Sequence, residues 1–385
     1  MREEIRGYDA VRAAAKDFET YSSDLLGDRD VRTYRQLPLE ADPPRHTKFR
    51  SAVQPLFMGD AIAKHRPAFE AHALNLINKL RETGGGEIAS DFALPYVIGC
   101  LTIIYNRPQD FDEWLSWGPD VWTAEAHARG NNADVNAEAS HEAHRERDFT
   151  QHSDRDGAVL QAYLDRVFDN AEANPNHDPE TQDVWDYVAH LRVDDAQITR
   201  PEMQGIANVL LAGGRDTVIK LITGLVWHLT KSPSDREFLK ANPEWFNRTI
   251  AEMVRFLSPL PKMERVLATD KHVPDAERDV EKYVLLNFVS ANYDKSIWPD
   301  ADTLDIHRER KPHLAFGHGR HSCMGMNITE HEVGALLGVL LNNWPNFEFD
   351  GEPEIQFVND FHADGTQFSY IDRFAKLQVS TAAQI

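Results

Sequence analysis

Phe316-Gly317-His318-Gly319-Arg320-His321-Ser322-Cys323-Met324-Gly325 is the stretch on which the reading of this chain turns. It places a thiol in a glycine-rich loop directly before an apolar-periodic helix. The chain holds two cysteines, too few for a disulfide framework or a four-cysteine zinc site. A thiol at a helix start has its thiolate favoured by the helix dipole and by backbone N–H groups. Such a thiolate attacks a substrate or ligates a soft metal. Gly317, Gly319 and Gly325 admit backbone torsions closed to other residues and let a flat ligand approach. Phe316 is placed to shield the sulfur, and His321 to pair with an anionic group.

The second informative stretch is Ala212-Gly213-Gly214-Arg215-Asp216-Thr217, inside what reads as the longest helix, from Thr199 to about Thr230. Thr199 suits the N-cap and Pro201 the first turn. Two adjacent glycines in a helix interior cost about 1 kcal/mol each relative to alanine. They allow local opening and the approach of a planar ligand. Asp216 and Thr217 then supply an acid and a hydroxyl suited to delivering protons to a buried, reduced oxygen species. The alternative is a close helix crossing, with Thr217 bonded back to the preceding turn.

The remaining chain reads as mainly helical with smaller strand regions, an α+β class, and as a single domain over residues 1–385. Residues 61–82 are long and amphipathic, 94–105 short and apolar, and 109–122 rich in tryptophan (Trp114, Trp117 and Trp122). A helix covers about 244–257, short strands and turns fill 262–300, and a final long helix follows Cys323 and ends near Pro345. Residues 125–152 are polar, and His127, His141, His144 and His152 are either a metal site or part of a solvated loop. Glu252 and Arg255, three apart, share a helix face and on spacing alone form a surface pair. His46, Arg50, Arg265 and His321 are cations that suit a dicarboxylate if they converge.

A formal net charge of −21 excludes nucleic acid as an expected partner, since phosphate contacts need clustered Lys and Arg. The absence of a membrane-length apolar run and of an N-terminal apolar signal reads as a soluble, cytoplasmic protein with no membrane association.

In their order along the chain these segments resemble the cytochrome P450 family, the haem-thiolate monooxygenases, in its soluble bacterial type. The cysteine loop is similar to the family's Phe-x-x-Gly-x-(His/Arg)-x-Cys-x-Gly signature. Gly213 to Thr217 resembles its oxygen-activation motif, and Glu252 with Arg255 its Glu-x-x-Arg pair, with Arg308 as a third partner. Asp42-Pro43-Pro44-Arg45-His46-Thr47 with Arg50, and Arg265, resemble the segments that contact haem propionates.

The resemblance implies a P450-like fold with haem b (iron protoporphyrin IX) between the long central helix and the cysteine-loop helix. It implies Cys323 as the iron ligand. His46, Arg50, Gly213, Gly214, Arg265, Phe316, Gly317, His321 and Gly325 would be cofactor-binding, and Asp216 and Thr217 proton-handling. Glu252, Arg255 and Arg308 would be structural. The implied activity inserts one atom of O2 into a small or medium apolar organic substrate. Electrons would come from a separate ferredoxin or flavodoxin, since the chain has no Gly-x-Gly-x-x-Gly fingerprint and no cysteine set for an iron–sulfur cluster.

By the same resemblance Val209, Leu210 and residues near Leu260 to Met263 face the substrate, and Trp114, Trp117 and the 125–152 segment form a lid. Lys262 either binds a substrate carboxylate or reaches solvent along its stem. Two departures stand out. The helix at Ile5 to Arg12 comes earlier in the chain than the family's pattern expects, and Arg215 is a large cation where many members carry a smaller residue. A peroxide-driven hydroxylase, a haem protein without turnover and a cysteine-nucleophile hydrolase are the competing readings.

Overall fold

The structure, a computed structural model, describes residues 3–24, 35–117, 154–267 and 283–381. Trp122 and the 125–152 segment with its four histidines lie outside the described residues. In chain order the elements are β1 (Glu3–Ile5), α1 (Tyr8–Ala14), β2 (Tyr21–Ser22), α2 (Arg45–Val53), α3 (Gly59–Ala63), α4 (Arg66–Glu82), β3 (Gly85–Glu87), α5 (Leu94–Ile104) and α6 (Phe111–Ser116). There follow α7 (Asp154–Ala173), α8 (Val184–Ala189), β4 (Arg192–Val193), β5 (Ala196–Gln197), α9 (Arg200–Ala212), α10 (Asp216–Lys231), α11 (Pro233–Ala241) and α12 (Phe246–Leu257). The chain closes with β6 (Lys262–Leu267), β7 (Tyr283–Asn287), α13 (Phe288–Asn292), α14 (Met326–Asn343), β8 (Phe347–Phe349), β9 (Glu354–Phe361), β10 (Gln367–Lys376) and β11 (Gln378–Thr381). This is the mainly helical α+β class expected.

The helical core forms because its elements carry apolar residues at three- and four-residue spacing. In α14 the buried set is Ile328, Val333, Leu336, Leu337, Leu340 and Leu341, and this face packs against α4, α11 and α12. α5 is buried almost all round and lies against α4, α6 and α10. The helix expected over 61–82 divides at Lys64-His65 into α3 and α4. Trp114 and Trp117 are core residues, not lid residues. Both are buried, and their rings join Tyr163, with Trp114 also meeting Tyr105, at centroid separations of 5.0–6.4 Å.

Four strands form a sheet in the order β1-β7-β6-β2. β1 runs parallel to β7, with Glu3 opposite Val284 and Ile5 opposite Leu286. β6 runs antiparallel to β7, pairing Lys262 with Asn287. β9 and β10 form a hairpin, and β11 joins β3 to β8. Among the described residues no helix is long and apolar enough to cross a membrane.

Lys262 takes neither of its expected roles. Its Nζ lies 3.0 Å from a Glu4 carboxylate oxygen and 3.0 Å from Asp360 Oδ2. Asn287 Nδ2 donates to both acids, at 2.9 and 3.0 Å, and Arg6 pairs with Glu4 at 2.7 Å. This cluster clamps β1 and β9 to the sheet. Likewise Glu252 and Arg255 are buried, not on the surface. The Arg255 guanidinium takes both Glu252 oxygens at 2.8 Å and the carbonyls of Asn292, Ala301 and Thr303 at 2.8–3.2 Å. Arg308 Nε adds a bond to Glu252 at 3.1 Å.

Glu332, on α14, is fully buried and neither carboxylate oxygen has a hydrogen-bond partner among the described residues. Burial raises its carboxyl from 4.5 to about 8, so it is held protonated. A raised folded-state value means stability is greatest below 4.5 and is lost as pH rises towards about 8. Full expression of that shift is worth about 5 kcal/mol. Glu332→Gln is therefore expected to flatten the fall in Tm over that range and to raise Tm at pH 8, read by thermal unfolding across pH. Lys262→Met leaves Glu4 and Asp360 with only Arg6 and Asn287 between them and should cost about 1–2 kcal/mol of stability. The double variant with Glu4→Gln should recover part of that loss in denaturant unfolding.

Candidate functional site

The loop before α14 is shaped by its glycines. Gly317 and Gly319 adopt φ of 68° and 73°, the left-handed region closed to most side chains. A Cβ on Gly319 would stand 2.9 Å from the Ala15 carbonyl at the end of α1. The Cys323 N–H donates to the Phe316 carbonyl at 2.8 Å, closing the loop, and Ser322 N–H donates to Gly319 at 3.2 Å. The Phe316 ring is partly buried and lies 5.7 Å from His313.

Cys323 keeps accessible surface yet lies deep, so its sulfur lines an internal recess. Burial raises its thiol. The N–H groups of Gly325 and Met326 and the charge of Arg50 oppose that by favouring thiolate. A Cβ on Gly325 would stand 3.6 Å from the sulfur.

The basic residues named from the sequence converge here. His46 (α2) and His321 (loop) have ring centroids 4.2 Å apart. Both His46 nitrogens and His321 Nε2 are buried with no partner among the described residues. Burial, followed by Arg265, His46 and Arg50, lowers His321 to about 2. Burial, followed by Arg50 and Arg320, lowers His46 to about 4, against the pull of Asp42. Arg265 (β6) is buried, which lowers it to about 10, again opposed by Asp42. Asp42 is already engaged by the Ser22 hydroxyl and the Ser23 N–H. Two guanidiniums and two imidazoles thus share a recess with one thiol. Orphaned buried donors cost free energy unless an acceptor meets them. This donor set fits a soft metal centre carried by a flat dianion, which is the chemistry of haem.

The long central helix is not continuous. Its ladder is interrupted between Ala212 and Asp216, which separates α9 from α10. Glu202 accepts from the Thr199 N–H at 2.8 Å, so the expected start at Thr199 holds. The two glycines differ in what they face. A Cβ on Gly213 would meet only the Val209 carbonyl of its own helix, whereas one on Gly214 would press on Leu101 Cδ2 at 3.0 Å. Gly214 thus serves the crossing with α5, and Gly213 the open side. Asp216 is half exposed, and its carboxylate pairs with the buried Arg215 guanidinium. That pairing gives Arg215 a role that sequence reading did not. Thr223 and Thr230 bond back to carbonyls four residues earlier, while Thr217 makes no such bond among the described residues.

Sequence reasoning missed Tyr105 and Glu332, which lie behind this interruption. Glu332 left a signal, a lone acid in an apolar helix face; Tyr105, ending an apolar segment, left none. No group of three or more potential metal-ligating His, Cys, Asp or Glu side chains occurs among the described residues.

The cytochrome P450 family model matches residues 243–365, which include the Glu252/Arg255 pair and the cysteine loop. The cyclomarin C epoxidase of Salinispora arenicola (strain CNS-205) is 27% identical over 353 residues, covering 90% of this chain and 84% of that protein. Cytochrome P450 130 of Mycobacterium tuberculosis (strain ATCC 25618 / H37Rv) is 27% identical over 346 residues, covering 88% and 80%. Among solved structures, a carbohydrate-active P450 superposes with a TM-score of 0.78 at 25% identity, covering 98% of this chain and 91% of that one. Sequence, fold and relatives agree: the chain belongs to the cytochrome P450 family, the haem-binding monooxygenases.

Proposed function

We propose that Cys323 is the iron ligand of this P450, and that Arg50, Arg265, His46 and His321 hold the haem carboxylates. The observation that carries this reading is the convergence of orphaned His46 and His321 nitrogens and two arginines on the recess of the Cys323 sulfur. When bound, haem b supplies the binding and reductive activation of O2, with one atom inserted into substrate and the other released as water. The chain's residues then have separate tasks. N–H groups of Gly325 and Met326 favour the Cys323 thiolate against the effect of burial and moderate its donation. Gly213 leaves backbone open on the distal side. Asp216, reaching solvent, collects a proton once Arg215 releases it, and Thr217 carries it inward.

The substrate class is a small or medium apolar organic molecule held near Val209 and Met263. Relatives named as the epoxidase of cyclomarin C and the N-oxygenase of nocardicin C support an organic substrate oxidised at carbon or nitrogen. Electrons come from a separate ferredoxin or flavodoxin. Support comes from the basic face beside the cysteine loop, where Arg12 Nε bonds His318 at 3.3 Å and Arg320 lies over Phe18, on a chain of net charge −21.

The test is the absorbance of the reduced, carbon monoxide-saturated protein. A strongly red-shifted Soret band that Cys323→Ala abolishes is expected; a band at the ordinary haem position in the parent protein would sink the assignment. Thr217→Ala should keep that spectrum. It should also lower product formed per NAD(P)H by roughly 10–100-fold, with peroxide released instead. Turnover with hydrogen peroxide but none with ferredoxin would select the peroxide-driven reading.

A further inference from the structure

An interrupted helix needs something to keep it interrupted. In a continuous helix the Gly214 N–H would donate to the Leu210 carbonyl four residues earlier. Here that carbonyl accepts instead from the Tyr105 hydroxyl, at 2.8 Å, with both residues buried. Tyr105 ends α5 and is fixed from several sides. Its own carbonyl accepts from Val184 N–H at 3.0 Å, and its ring lies 6.3 Å from Trp114 and 6.4 Å from Trp185. Burial and then the charge of Glu332 raise its phenol far above the ordinary value, so it remains a donor at every working pH. On the same side, Leu101 fills the space where a Gly214 side chain would stand.

We propose that Tyr105 is a positioning residue, a strut from α5 that occupies the Leu210 carbonyl and holds the central helix open between Ala212 and Asp216. The strut competes with the Gly214 N–H for the carbonyl that would close the ladder, leaving Asp216 and Thr217 to start a new helix at the opening. Its consequence for proton delivery rests on the roles proposed above for those two residues; the strut itself does not.

The experiment is amide hydrogen exchange on the haem-loaded protein, with peptides resolving residues 207–218. In the parent protein the Gly214 amide should exchange about tenfold or more faster than those of Ala207 to Leu211, while the Gly213 amide, which still donates to the Val209 carbonyl at 3.0 Å, stays protected. Equal protection overturns the proposal without any variant being made. Tyr105→Phe should slow exchange at Gly214 about tenfold, because the freed carbonyl recaptures its helical partner. Tyr187→Phe, which loses a comparable bond to the Ala52 carbonyl elsewhere (2.8 Å), should leave this segment unchanged. Unchanged or faster exchange in Tyr105→Phe would show the phenol to be packing alone. Peroxide released per NAD(P)H, measured with a surrogate ferredoxin, separates the two readings. Slower exchange with more peroxide supports both. Slower exchange with unaltered peroxide leaves the strut standing and removes the roles given to Asp216 and Thr217.

Discussion

A guanidinium buried to 1% exposure must have its N–H groups met within the protein, and Arg255 meets that demand by drawing three distant stretches together. Glu252 supplies the countercharge from the same helix. The carbonyl of Asn292 ends α13, and those of Ala301 and Thr303 belong to the irregular chain that leads on into the cysteine loop. Irregular backbone has no ladder of its own to satisfy it, so such a stretch is held only where side chains reach its carbonyls. Arg308 repeats the device, bonding Glu252 and the carbonyls of Pro299, Asp300 and Thr303. The position of Cys323 relative to α10 and α12 therefore depends on a charge cluster remote from the sulfur.

A different electrostatic logic operates around the sulfur. The network about Arg255 is closed, each donor matched within the chain. Beside Arg50 and Arg265, His46 and His321 are open, with buried nitrogens that nothing in the described chain completes. The contrast separates cations that build the protein from buried nitrogens that await a partner. Lys262 shows its use: a lysine on the same strand as Arg265 is fully engaged by Glu4 and Asp360, and so belongs to the scaffold.

Features that depend on neighbours in sequence were legible. The cysteine loop announced itself through glycines whose positive φ the fold uses, and α9 through Thr199, Pro201 and Glu202. The double glycine correctly suggested local opening, although one helix from Thr199 to Thr230 proved to be two. Features that depend on distant partners were not legible. Lys262 looked available because its acids lie at Glu4 and Asp360. Glu252 and Arg255 looked superficial because burial is a property of the packed molecule. Trp114 and Trp117 looked like lid residues because nothing local says that Tyr163 will fold onto them. Tyr105 could not have been singled out, since its meaning lies in one hydroxyl meeting a carbonyl 105 residues later.

The clamp on β1 carries a consequence for how the chain acquires its shape. Glu4 meets Lys262 across 258 residues and Asn287 across 283, and Arg6 and Lys262 both lean on Asp360. β1 therefore has no place to dock until about 280–360 further residues have been made. At 5–20 residues per second that wait is roughly 20–70 s. During it, Ile5 and the apolar face of α1 remain uncovered while the central helices already collapse on one another. The β1-β7-β6-β2 sheet thus closes late in synthesis, as does the β3-β11-β8 sheet, whose middle strand is later still.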